Sequence, residues 1–135
     1  MSASITIQAA ADFLRDHDGY LILTHLRPDG DTVGCAAALC RALRQLGKRA
    51  FVLPNPQASS LFTPYFEGLL AEDGFAPDTV VSVDIAARGL FPDNAQKYLP
   101  RVDLAIDHHP SQEFFAQRTC LDAGRAACGE LMYDI

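Results

Sequence analysis

Apolar and polar positions alternate with two different periods along the chain. In residues 6–16 (TIQAAADFLRD), Ile7, Ala10, Ala11 and Leu14 recur at helical spacing, which predicts a short amphipathic helix. Asp18-Gly19 breaks that pattern. Residues 20–24 (YLILT) are a continuous apolar run, as expected of a strand covered on both faces. A turn from His25 to Asp31 follows. Residues 32–46 then read as a helix with Val33, Ala36, Ala37, Cys40, Leu43 and Leu46 inward, closed by Gly47. Further strands are expected over 49–53 (RAFVL), ended by Pro54 and Pro56, over 79–84 (TVVSVD) and over 102–107 (VDLAID). A short helix over 91–99, an edge strand over 118–122 and a helix over 123–135 complete the pattern. Residues 57–77, which carry prolines and aromatics, are placed only loosely. Strands alternating with helices predict an α/β fold, a Rossmann-like parallel sheet flanked by helices. No GxGxxG and no internal repeat is present.

Composition narrows the function. At 135 residues the chain has the size of one domain, and 49% hydrophobic residues suffice for a core. The net charge of −6 disfavours wrapping of long nucleic acid through phosphate contacts, but leaves room for a nucleotide held through bound metal. No run approaches the roughly 20 apolar residues of a membrane span. The first eleven residues contain no basic residue ahead of an apolar stretch, so no secretory signal is expected. Cys35, Cys40, Cys120 and Cys128 form no CxxC pair and are expected to be buried thiols of a cytoplasmic, reducing setting.

The chemistry concentrates where apolar strands end. The first leads into His25, Asp29 and Asp31, the third into Asp84, and the fourth into Asp107-His108-His109. In an open parallel sheet, sites form outside the carboxyl ends of the strands. Each piece has an ordinary structural explanation: Pro28-Asp29-Gly30 makes a turn, and Asp31 can cap the following helix. Together, several carboxylates at one sheet edge repel one another unless a divalent cation joins them. Mixed Asp and His ligands favour Mn²⁺ over Mg²⁺, and five ligands suit two ions rather than one tetrahedral zinc.

The run His25-Leu-Arg-Pro-Asp29-Gly-Asp31-Thr-Val-Gly34, then Val-Asp84, then Asp107-His108-His109, resembles the first three motifs of the DHH phosphoesterases. The flavour is that of the bacterial oligoribonuclease and 3′,5′-bisphosphate nucleotidase group. Residues 126–134 (AACGELMYD) resemble that group's stretch after the DHH motif. The resemblance implies that His25, Asp29 and Asp84 hold one Mn²⁺. It implies that Asp31, Asp84 and His108 hold a second, with Asp84 bridging and Mg²⁺ as an alternative ion. His109 would face the scissile phosphate and Asp107 would support the site, giving His108, His109 and Asp107 the catalytic roles. The implied reaction is hydrolysis of short oligoribonucleotides or nucleoside 3′,5′-bisphosphates by metal-activated water.

The family's fourth motif, an Asp, and its C-terminal substrate-binding domain have no counterpart here, and Asp134 does not match the fourth motif's context. Residues 1–135 are therefore expected to be a truncated N-terminal domain. A non-catalytic, metal-binding remnant is the alternative. A receiver-type signalling domain ranks lower, because no Lys stands at a late strand end. Cys35 replaces the small Ser common after the first-motif Gly. Partners are expected to be short oligoribonucleotide or nucleotide substrates, without long nucleic acid or membrane; self-association stays open.

Overall fold

The computed structural model describes residues 3–57 and 61–122. The expected helix over 123–135, the stretch over 126–134 and Cys128 lie outside them.

Among the described residues, six parallel strands form one sheet in the order β1-β6-β5-β4-β2-β3: β1 (Ala3–Ile5), β2 (Tyr20–Leu23), β3 (Ala50–Val52), β4 (Thr79–Val83), β5 (Leu104–Asp107) and β6 (Arg118–Leu121). This is the expected parallel α/β fold. From β2 the chain moves outward to β3 and then returns to β4 on the other side of β2. That reversal leaves a crevice at the carboxyl ends of β2 and β4, where ligands of open α/β sheets bind.

Side chains of successive strand residues point to opposite faces, and the burial follows that period. Tyr20, Ile22, Val81, Val83, Leu104 and Ile106 pack under helices α1 (Ile7–Asp16) and α2 (Gly30–Gln45). Leu21, Leu23, Val80 and Ala105 pack on the other face with Phe91, Ala95 and Val102. Thr6 caps α1 by accepting from the Ala9 amide. The end of α2 is a Schellman motif: Lys48 N donates to Leu43 O, and Gly47 N donates to Arg44 O with Gly47 at φ +81°. No helix among the described residues is long and apolar enough to cross a membrane.

Several expectations need correction. The second helix begins at Gly30 with Asp29 as its cap, two residues earlier than the Asp31 cap read from the sequence. Leu46, expected inward, is the C-cap residue and is largely exposed, because the helix ends before its face turns to the core. The strand expected at an edge, β6, lies inside the sheet, flanked by β5 and by β1, which the sequence pattern did not indicate. The helix expected over 91–99 is a 3₁₀ helix, Asp93–Arg101, containing Pro100, which has no amide hydrogen to donate to an α-helical bond. Another 3₁₀ turn, Thr63–Phe66, packs beside α2. Cys35, Cys40 and Cys120 are buried free thiols, as expected. Burial raises the Cys40 thiol pKa and pushes the Cys120 thiol up to about 11.

Candidate metal centre

Strands β2, β4 and β5 are neighbours, so their carboxyl ends deliver His25, Asp84 and Asp107-His108-His109 side by side. The turn between β2 and α2 adds Asp29 and Asp31. All seven residues predicted from the sequence gather at this edge.

Asp84 stands at the centre. Its side chain is 3% exposed. Its Oδ2 faces His25 Nε2 at 3.8 Å, and that nitrogen lies 3.5 Å from Asp29 Oδ1. Its Oδ1 faces the opposite group: His108 Nε2 at 3.1 Å and His109 Nδ1 at 3.7 Å, with Asp31 Oδ2 a further 3.5 Å from His108 Nε2. The two oxygens of one carboxylate thus divide the site into two clusters. Among the described residues, Asp84 Oδ1 is buried without a hydrogen bond of good geometry, even though two imidazole nitrogens lie near it. A buried carboxylate oxygen in that position is costly unless a cation satisfies it. The donor set of imidazole nitrogen and carboxylate oxygen fits Mn²⁺ or a similar divalent ion.

The orientation of the His25 ring agrees with ligation. His25 Nδ1 lies 2.7 Å from the Leu26 carbonyl, which can only accept, so Nδ1 carries a proton and Nε2, turned toward Asp29 and Asp84, is the ring atom placed to ligate. Asp84 adopts φ +61°, a left-handed conformation that non-glycine residues seldom take and that Asp tolerates better than most. The Asp84 amide donates to Ile106 O, and Thr32 Oγ1 donates to Val83 O, so the end of β4 is held from β5 and α2.

Asp107, His108, His109 and Asp84 also present atoms close enough to share an ion, and the Asp107 carboxylate already accepts three hydrogen bonds. It is fully buried, and Oδ1 accepts from His108 N at 2.8 Å and from His109 Nδ1 at 2.6 Å. Gln112 Nε2 donates to its Oδ2 at 2.7 Å and to Ile85 O at 3.0 Å. Three hydrogen bonds thus take up most of the roughly four acceptor sites of the Asp107 carboxylate, and one of them orients His109. Gln112 is a residue that sequence reasoning missed. Its only signal was a polar residue three positions after His109, following Pro110-Ser111. Cys35 Sγ donates to Asp31 Oδ1 at 3.6 Å, so the thiol at the position of the usual Ser contacts a proposed ligand.

Asp29 has two tasks, because its Oδ1 both caps α2 through Thr32 N at 3.0 Å and faces His25. Asp29→Ala is expected to lower metal-free stability by about 1 kcal/mol through the lost cap, and Asp29→Ser, an equally good cap, to leave it nearly unchanged. Both should weaken Mn²⁺ binding. Thermal melts with chelator, beside calorimetric titrations, separate the two effects; a Ser variant as destabilised as Ala would remove the capping role.

Burial, reinforced by Asp31, pushes the Asp84 carboxyl up from its ordinary 3.8 to about 7; Asp29 adds to the rise, and His109 and His108 oppose it. Burial works against protonation of His109, but the hydrogen bond and charge of Asp107, with Asp84 and Asp31, raise its pKa overall. Both groups have folded-state values above their unfolded ones, so folding takes up protons. The Asp84 contribution to stability is full below pH 3.8 and fades toward pH 7. That of His109 fades as pH rises above 6.5 through its folded value. The metal-free chain should therefore melt at a lower temperature at about pH 8 than at about pH 5.5. Mn²⁺ binding requires deprotonated ligands, so the rise in melting temperature on adding Mn²⁺ should grow over the same interval. Melts at both pH values, with and without Mn²⁺, check both signs.

Residues 20–135 match the DHH family, N-terminal domain. The chain is 29% identical to the bifunctional oligoribonuclease and PAP phosphatase NrnA of Thermus thermophilus over 96% of its own length and 40% of that protein's. It is 25% identical to the NrnA of Bacillus subtilis, over 88% of this chain and 38% of the relative. With the NrnA of Mycoplasma pneumoniae it shares 27%, over 96% and 43%. The chain thus spans about two fifths of the length of these relatives. Among solved structures, an exopolyphosphatase-related protein from Bacteroides fragilis superposes with a TM-score of 0.76 at 23% identity, covering 94% of this chain and 41% of that one. This likeness concerns the fold.

Proposed function

The chain belongs to the DHH family, and from that premise we propose that it is the metal-binding part of a phosphoesterase acting on short oligoribonucleotides and nucleoside 3′,5′-bisphosphates. The observation that carries the reading is Asp84, whose two buried carboxylate oxygens face two separate groups of ligand atoms. His25 and Asp29 with Asp84 would hold one Mn²⁺, and Asp31 and His108 with Asp84 the other; Mg²⁺ would bind the same groups more weakly. Two divalent cations held by these residues would supply acidification of a water molecule and neutralisation of phosphoryl charge.

The residues of the chain supply placement. Asp107 holds the Nδ1 proton of His109 and favours the protonated ring, so that the His109 Nε2–H would donate to an oxygen of the phosphate being cleaved. His109 is about two fifths exposed, whereas His25 and His108 are mostly buried. An imidazole for substrate belongs at the surface, and imidazoles for an ion belong beneath it. Negative net charge gives no general attraction for a phosphate chain, so the cation site would be what draws the substrate. DHH membership also replaces the receiver-type alternative.

The test is metal binding followed by turnover. Mn²⁺ at about 100 times its dissociation constant should stabilise the folded chain by roughly 2.7 kcal/mol, visible as a higher melting temperature, with a smaller rise for Mg²⁺. Hydrolysis of a labelled diribonucleotide and of adenosine 3′,5′-bisphosphate should be Mn²⁺-dependent in a chain of the relatives' length and weak in residues 1–135 assayed alone. Absence of any thermal shift with millimolar Mn²⁺ would count against the site. A longer chain that binds Mn²⁺ but hydrolyses neither substrate would leave the remnant reading in its place.

A further inference from the structure

The turn that carries His25 and Asp29 has little regular structure to hold it. It contains Arg27 at φ +52°, and Arg27 precedes Pro28, whose ring favours an extended residue before it. A non-glycine residue in that conformation persists only where its surroundings impose it. The surroundings here come from the loop after β3.

That loop runs Pro54-Asn55-Pro56-Gln57, and its two prolines restrict the backbone on either side of Asn55. Asn94 Nδ2, from the 3₁₀ helix, donates to Pro54 O at 2.6 Å and ties the loop to the body of the domain. Asn55 Nδ2 donates to Thr24 Oγ1 and to His25 O, both at 2.9 Å. Asn55 Oδ1 accepts from Gln57 N at 3.0 Å. Gln57 Oε1 in turn accepts from Arg27 N at 2.8 Å. Two carboxamides thus grip the turn at the carbonyl of His25 and at the strained amide of Arg27. On the opposite side Leu26 N donates to Leu90 O, so the backbone between the two grips is fixed as well.

We propose that Asn55 and Gln57 are positioning residues that hold the His25–Asp29 turn in its metal-binding geometry. The proposal rests on the metal-site reading above. Neither residue reaches the ligand atoms; each acts through the backbone that carries His25 and Asp29. Restraints of this kind around a metal commonly change affinity by about 10–100-fold.

The hydrogen bonds give the proposal an asymmetric signature. Asn55 contacts the turn as a donor, and Gln57 contacts it as an acceptor. Replacing the amide by a carboxylate removes the donor at 55 but keeps the acceptor at 57. Asn55→Asp should therefore weaken Mn²⁺ binding by about tenfold or more, and Gln57→Ala by several-fold, whereas Gln57→Glu should bind within about twofold of the parent. Calorimetric titration with Mn²⁺ alone, well below the metal-free melting temperature, measures this in folded protein. The electron paramagnetic resonance line shape of bound Mn²⁺ should change in Asn55→Asp and stay parental in Gln57→Glu. Parental affinity in Asn55→Asp, or equal losses in Gln57→Ala and Gln57→Glu, would overturn the proposal. Failure of the parent chain to bind Mn²⁺ would instead overturn the metal-site reading, and the proposal with it.

Discussion

Asp84→Asn is expected to weaken Mn²⁺ binding by more than about 100-fold while making the metal-free chain more stable. The loss follows from geometry. A neutral amide offers one weak oxygen ligand where the carboxylate presents two, one to each cluster of ligand atoms. The gain follows from electrostatics. At about pH 8 the buried Asp84 ionises against its surroundings and faces the carboxylates of Asp31 and Asp29, so removing its charge should stabilise the metal-free fold by roughly 1–3 kcal/mol. Asn is also at home at φ +61°, so the substitution adds no backbone strain. Calorimetric titration and melts in chelator read the two effects independently. A variant that binds Mn²⁺ like the parent would remove the bridging role of Asp84. A variant less stable than the parent without metal would show that Asp84 is there for the fold.

Asp107→Asn should act in the opposite way on stability. The fully buried carboxylate of Asp107 accepts from the His108 amide, His109 Nδ1 and Gln112 Nε2. Asn has one acceptor oxygen, and its amino group must turn toward donors. Loss of charge-assisted hydrogen bonds at a buried position is worth about 3 kcal/mol, or roughly 10 °C in melting temperature for a domain of this size. The same change releases the tautomer of His109, so hydrolysis in a chain of the relatives' length should fall by about 100-fold or more. A melting temperature within about 2 °C of the parent would contradict the orienting role.

Local pattern was enough to read the parts of this fold that carry the site. The runs at 20–24, 79–84 and 102–107 are apolar because the strands are buried on both faces, and chemically active residues stand where those runs stop. Long-range pairing was not readable. β1 is a three-residue strand whose existence depends on its partner, with Ser4 beside Thr119, more than a hundred residues away. Without β1, β6 looked like an edge. The capping error had a local cause: both Asp29 and Asp31 suit a helix start, and only the backbone shows that Asp29 is extended while Asp31 is already in the first turn. Gln112, Asn55 and Gln57 are not legible in the sequence, for one reason. Each works through backbone groups or a single carboxylate brought near by folding, and a lone amide side chain carries no spacing pattern.

The central claim is that Asp84 joins two ion sites at the carboxyl edge of the sheet. Anomalous diffraction at the manganese edge, from crystals of the chain grown with Mn²⁺, tests it most directly. Two peaks about 3.5–4 Å apart are expected, on either side of the Asp84 carboxylate. One should contact His25 Nε2 and Asp29, the other His108 Nε2 and Asp31, and neither should contact Asp107. A peak held by the Asp107 carboxylate, or no peak at Asp84, would contradict it.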